Sequence, residues 1–135
     1  MNTSILGRVT SITAALSCFA MLGMAASAWH LDLLDSYPKA DQVLTESPDT
    51  VRFWFNQEPD IPLAGASIDG PSGRIKMGKA QETDDPKSFK VEVLEKLESG
   101  TYTVVWRAAG SDGHVIRGRF TFQLQPTAPN NTAGL

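Results

Sequence analysis

The sequence predicts an all-β domain, either a two-sheet sandwich or a Greek-key barrel. Three observations lead there. Apolar and polar residues alternate with period two in the longest candidate strands. Turn residues punctuate the chain at short intervals, and no apolar stripe of helical period runs to a useful length. Residues 31–34 form a short apolar opening, followed by Tyr37-Pro38-Lys39. Residues 51–55 (VRFWF) set Val51, Phe53 and Phe55 on one face and Arg52 and Trp54 on the other, as a half-buried strand does. They are bracketed by Ser47-Pro48-Asp49 and Glu58-Pro59-Asp60. Residues 66–68 and 74–77 flank the turn Gly70-Pro71-Ser72-Gly73. Residues 89–93 follow Asp84-Asp85-Pro86, and the stretch 93–97 after them makes at most a turn. Residues 101–108 (TYTVVWRA) are rich in β-branched and aromatic side chains. Residues 117–124 alternate again, with Phe120, Phe122 and Leu124 on one face. Trp54, Trp106, Phe120 and Phe122 are assigned to core or sheet packing.

The first 28 residues read as a secretory signal peptide. They hold no acid and one base, Arg8, then an apolar run at 9–25, and they end in Ala26-Ser27-Ala28 at the cleavage position. A spanning helix needs ~20 strongly apolar residues, whereas Ser11, Thr13, Ser17 and Gly23 dilute this run. Cleavage is therefore expected, with no membrane insertion of the product. It leaves 107 residues: one domain at 29–125 and a tail at 126–135 of small, polar and proline residues, expected to be disordered. Loss of Arg8 takes the formal charge from −3 to −4. An acidic chain without a basic stripe argues against nucleic acid and anionic membrane as partners. The one cysteine, Cys18, falls in the leader, so the product has no disulfide and depends on its packed core. A monomer is expected.

Residues that can perform chemistry are few. The chain has two histidines, His30 and His114. His114 closes Asp112-Gly113-His114. In a flat strand, residues i and i+2 face one side about 6.8 Å apart, and a glycine between them lets the backbone bend. A carboxylate and a neutral imidazole are common ligands for zinc and Cu(II). Equally, Asp-Gly is a frequent turn pair, and the histidine after it can be idle. His30 lies near the predicted new N-terminus, where an α-amine and an imidazole both lose protons readily near neutral pH. Cu(II) favours such nitrogen-rich sites. No nucleophile elbow accompanies the serines, and the acidic pair Asp84-Asp85 sits in turn-like sequence. Beyond the leader Met77 is the only methionine, too few for a methionine-rich Cu(I) site.

Three stretches carry a family likeness: SYPKADQVL (36–44), SPDTVRFWFNQEP (47–59) and SGTYTVVWRAAGSDGHVIRGRFTFQL (99–124). Together with a histidine near the mature start, they resemble the CopC family of periplasmic copper-binding proteins. The resemblance spans about residues 30–124. Its most specific part is the closing segment, which looks like the family's closing hairpin: Trp106, then Asp112-Gly113-His114, Gly118 and Phe120. It implies an immunoglobulin-like to cupredoxin-like Greek-key β-sandwich in the periplasm. It further implies one Cu(II) ion held by His30, Asp112 and His114, a role in copper resistance, storage or delivery without catalysis, and a CopD-type inner-membrane partner. The family usually begins at the histidine itself; here Trp29 intervenes, so the mature chain starts at Trp29 or at His30. The family also places an acidic residue near the copper after this strand. Without a gap Gln57 takes that position; with a one-residue shift Glu58 does, as an axial or supporting carboxylate. A one-residue slip reverses the facing of a side chain, so only one of the two can apply.

Two other readings stand beside this one. An N-terminal histidine paired with a second histidine is also the arrangement of copper-dependent oxidative enzymes, although Asp112 would then fill a position they leave open. In the other, the domain is a metal-free immunoglobulin-like adhesion or assembly module in which Asp112-Gly113-His114 is only a turn.

Overall fold

A computed structural model describes residues 30–127. The expected signal peptide, Trp29 and residues 128–135 of the expected tail lie outside the described residues. Among the described residues nine strands are present: β1 (Leu33–Tyr37), β2 (Val43–Leu44), β3 (Thr50–Phe55), β4 (Gly65–Gly70), β5 (Gly73–Arg74), β6 (Met77–Glu82), β7 (Ser88–Val93), β8 (Gly100–Ala109) and β9 (Val115–Leu124). A 3-10 turn, Ile61–Leu63, precedes β4.

The strands form two sheets, ordered β1-β3-β7-β6 and β2-β9-β8-β4-β5. The fold is thus all-β, and of the two expected forms it is the sandwich. Burial drives the pairing. In β3, Val51, Phe53 and Phe55 are buried while Arg52 and Trp54 between them are not. Phe89 and Val91 of β7 meet them from the next strand, in register as Phe53↔Phe89 and Val51↔Val91. The second sheet contributes Ile68, Val104, Trp106, Phe122 and Leu124. Phe53 lies 4.9 Å from Phe89 and 5.9 Å from Trp106 between ring centroids, so the aromatic cluster spans both sheets. Each such ring contributes roughly 1.5–3 kcal/mol through burial.

On the outer face of the first sheet, Arg52 lies 4.7 Å over the Trp54 ring and ion-pairs with Asp84 at 2.9 Å. The same guanidinium donates to Thr83 at 2.9 Å and to Ser88 at 3.0 Å. It ties the β6–β7 connection to β3.

Several boundaries differ from expectation, each for a local reason. The strand expected at 31–34 runs from Leu33 to Tyr37, and a register shift between Leu33 and Asp35 turns Leu34 out to solvent. The strand expected at 74–77 is split, because Gly73–Arg74 pairs with β4 in one sheet whereas Met77 opens β6 in the other. β8 and β9 form a ten-pair antiparallel ladder, from Gly100↔Leu124 to Ala109↔Val115. This long hairpin holds the loop at 110–114 at one end of the sandwich.

Candidate metal centre

The loop at 110–114 is a tight turn. The Gly113 N–H donates to the Gly110 carbonyl at 2.9 Å. Gly113 then takes φ +74°, a left-handed conformation natural to glycine, before β9 begins. The Asp112 carboxylate bends back, and its Oδ1 accepts the His114 backbone N–H at 3.0 Å. Asp112 therefore closes the turn by the side-chain-to-backbone bond that Asp favours. Its second oxygen stays available. Asp112 and His114 are both exposed.

A second segment reaches the same end through Asn56, just after β3. Its Nδ2 donates to the His30 carbonyl at 2.8 Å, and its Oδ1 accepts the Asp32 N–H at 2.9 Å. The Asn56 backbone N–H donates in turn to the Asp32 carbonyl at 3.1 Å. One side chain thus clamps residues 30–32 onto the end of β3. Four residues on, the Asp60 N–H donates to the Ala109 carbonyl at 2.8 Å, which ties the loop at 56–60 to the last residue of β8.

The three segments meet at Gly110, which is buried. A Cβ placed there would lie 3.2 Å from Asp112 Oδ1, 3.6 Å from Leu31 Cβ and 3.9 Å from Gln57 Nε2. The glycine makes room for this convergence. Gln57 is half-buried with its amide against the turn, while Glu58, next in the chain, is exposed. Sequence reasoning missed Asn56 and Gly110. A short amide side chain directly after a strand, and a glycine directly before a turn, were the only signals.

His30 sits on the clamped segment, and its imidazole, like that of His114, makes no hydrogen bond among the described residues. In the chain as it stands, the His30 nitrogen is the amide following Trp29. Among the described residues, no three His, Cys, Asp or Glu side chains stand close enough together to hold an ion. The fold therefore fixes the backbones that bear His30, Asp112 and His114 around one end, and leaves the exposed side chains unassembled.

Comparison with known proteins fits this architecture. The CopC domain matches residues 33–125. The chain belongs to the CopC family. The CopC domain so defined takes in every strand, β1 to β9, and the 110–114 turn. Among its relatives is Protein YobA of Escherichia coli (strain K12), 31% identical over 118 residues, covering 85% of this chain and 95% of YobA. Copper resistance protein C of Escherichia coli is 33% identical over 114 residues, covering 78% of this chain and 90% of that protein. Among solved structures, PcoC, a methionine-rich copper resistance protein from Escherichia coli, superposes with a TM-score of 0.64 at 31% identity, covering 71% of this chain and 99% of PcoC. This CopC domain departs from that description in composition, since Met77 is its one methionine.

Proposed function

We propose that this protein binds one Cu(II) ion as cargo, in copper resistance, storage or delivery, after export to the periplasm. The observation that carries the proposal is the meeting of three segments at Gly110. One bears His30, one bears Asp112 and His114, and between them they hold both histidines of the chain. Two imidazoles and a carboxylate suit Cu(II), a borderline ion that favours nitrogen with oxygen support. The family membership and the copper resistance proteins among the relatives support the same reading.

In this proposal His30 and His114 supply ring nitrogens, and Asp112 supplies the oxygen not committed to the His114 N–H. Cleavage of the leader adds a nitrogen: the α-amine of His30, or that of Trp29 one residue earlier. Exposed side chains change rotamer in picoseconds to nanoseconds, so the three ligand side chains are free to turn toward an ion. Gln57 stands nearer the turn than Glu58 does and is the better placed supporting group. A CopD-type membrane protein is the proposed recipient or source of the metal. No catalytic step is assigned.

The test is a Cu(II) titration of the secreted protein followed by electron paramagnetic resonance. His114→Ala and Asp112→Asn should each weaken binding at least tenfold, or about 1.4 kcal/mol. Binding by His114→Ala as tight as the unsubstituted protein's would overturn the assignment. Intact mass identifies the first residue.

A further inference from the structure

A cleft of about 730 Å³ opens along the side of the sandwich, where the edges of the two sheets face each other across β4 and β6. Its charge runs against that of the protein. Lys79, Arg107 and Arg117 line it, and none of the three is in an ion pair among the described residues, in a chain with net charge −3. Arg107 and Arg117 are registered partners on β8 and β9, with like charges set directly opposite. That arrangement is unfavourable in a sheet, and among the described residues no carboxylate pairs with either arginine.

The cleft also offers backbone. β5 pairs only with Asp69 and Gly70, so residues 65–67 of β4 have no neighbouring strand on that side. Such an edge accepts an added strand, with main-chain bonds giving affinity and side chains giving selectivity. The Arg107↔Arg117 pair lies two registered pairs, or about 7 Å along the strands, below Ala109↔Val115, the last pair before the turn at 110–114.

We propose that this cleft docks an extended acidic peptide segment of a second protein, added to the free edge of β4 with its carboxylates on Arg107, Arg117 and Lys79. The opposed arginines await a ligand that neutralises them, and an acidic strand on β4 does so. The surface adjoins the candidate metal centre without sharing a residue with it, so it goes beyond the copper reading and can be tested apart from it.

The experiment uses 15N-labelled protein with a chelator present, which keeps copper out of the outcome. The probe is a capped heptapeptide of alternating glutamate and valine, with its lysine counterpart and citrate as controls. The glutamate peptide should shift amides at residues 65–67 and 78–80, the lysine peptide should not, and added salt should weaken the effect. The Arg107→Ser/Arg117→Ser double substitution should weaken binding at least tenfold while leaving the thermal midpoint unchanged or raised. Equal binding by that variant overturns the proposal. So does a failure of the glutamate peptide to shift these amides, or citrate giving the same shifts at the same concentration.

Discussion

Gly118→Ala adds one methyl group where β9 passes under Trp106. The added Cβ would lie 2.6 Å from Cζ2 of the indole and 2.7 Å from Cε2 and Nε1. Carbon atoms prefer roughly 3.5–4.0 Å, so the overlap is close to 1 Å. The indole cannot simply step aside. Trp106 is 7% exposed, and the Phe53 and Phe55 rings each stand 5.9 Å from it between centroids. Overpacking of this kind destabilises by about 1–3 kcal/mol. An opposite effect is also present, since alanine in place of glycine narrows the unfolded ensemble and stabilises by about 0.5–1 kcal/mol.

The overlap should win, by about 1–2 kcal/mol net. For a domain near 100 residues that lowers the thermal midpoint by roughly 4–16 °C. Thermal unfolding followed by circular dichroism reads it directly. In a Trp106→Leu background the clash is gone, and Gly118→Ala should become neutral or stabilising, a sign change that a double-mutant cycle isolates. An unchanged or raised midpoint for Gly118→Ala alone would refute the packing argument, because only the entropic effect would then be acting.

Three further outcomes are expected. Gly113→Ala meets nothing within 4 Å and has only its φ of +74° to contend with, so denaturant unfolding should show a loss of about 1–2 kcal/mol, largely recovered by Gly113→Asn. Asn56→Ala removes the bonds to the His30 carbonyl and the Asp32 N–H, each worth about 0.5–1.5 kcal/mol. Amide exchange at Asp32 should quicken roughly tenfold. The Arg52 guanidinium, through its hydrogen bond and then its charge, holds the Asp84 carboxyl below the usual carboxylate range. A lowered acid contributes stability fully above its unfolded pKa of about 3.9 and loses it as pH falls through the folded value. The midpoint difference between the native protein and Asp84→Asn should therefore be constant near neutrality and vanish with acidification below about pH 4.

Much of the fold is legible wherever a strand buries one face. The alternation of Val51, Phe53 and Phe55 specifies β3, and the same logic specifies β8 and β9. β6 is illegible for a physical reason. Met77–Glu82 has no β-branched or aromatic residue and is an edge strand, so it is a strand through its pairing with β7 and little else. β2 is two residues long and exists through its parallel contact with β9. At the candidate site, His30, Asp112 and His114 were legible as residue types, and the structure places their backbones at one end. Asn56 was not, because its partners lie 24 and 26 residues earlier in the chain. Which of Gln57 and Glu58 faces the turn depends on one residue of register, and no pattern in the sequence showed that the Gln57 amide lies against Gly110 while Glu58 is exposed.

That contrast between anchored backbone and unanchored side chains bears on what kind of site this end can be. Permanent metal sites hold each imidazole by a hydrogen bond from its second nitrogen, which fixes the ring and raises affinity. Here the backbone is fixed instead. Asn56 clamps residues 30–32, Asp60 ties its loop to β8, and Asp112 closes its turn. The two imidazoles have no such partner among the described residues. Ordering each ligand side chain on an ion then costs about 0.5–1.5 kcal/mol, which lowers affinity, while the backbone beneath them is already ordered. An ion held this way leaves through side-chain rotation alone, with no strand or loop displaced. Such a balance suits an ion that is passed on more than one that is kept, and within the proposed copper role it favours delivery over storage.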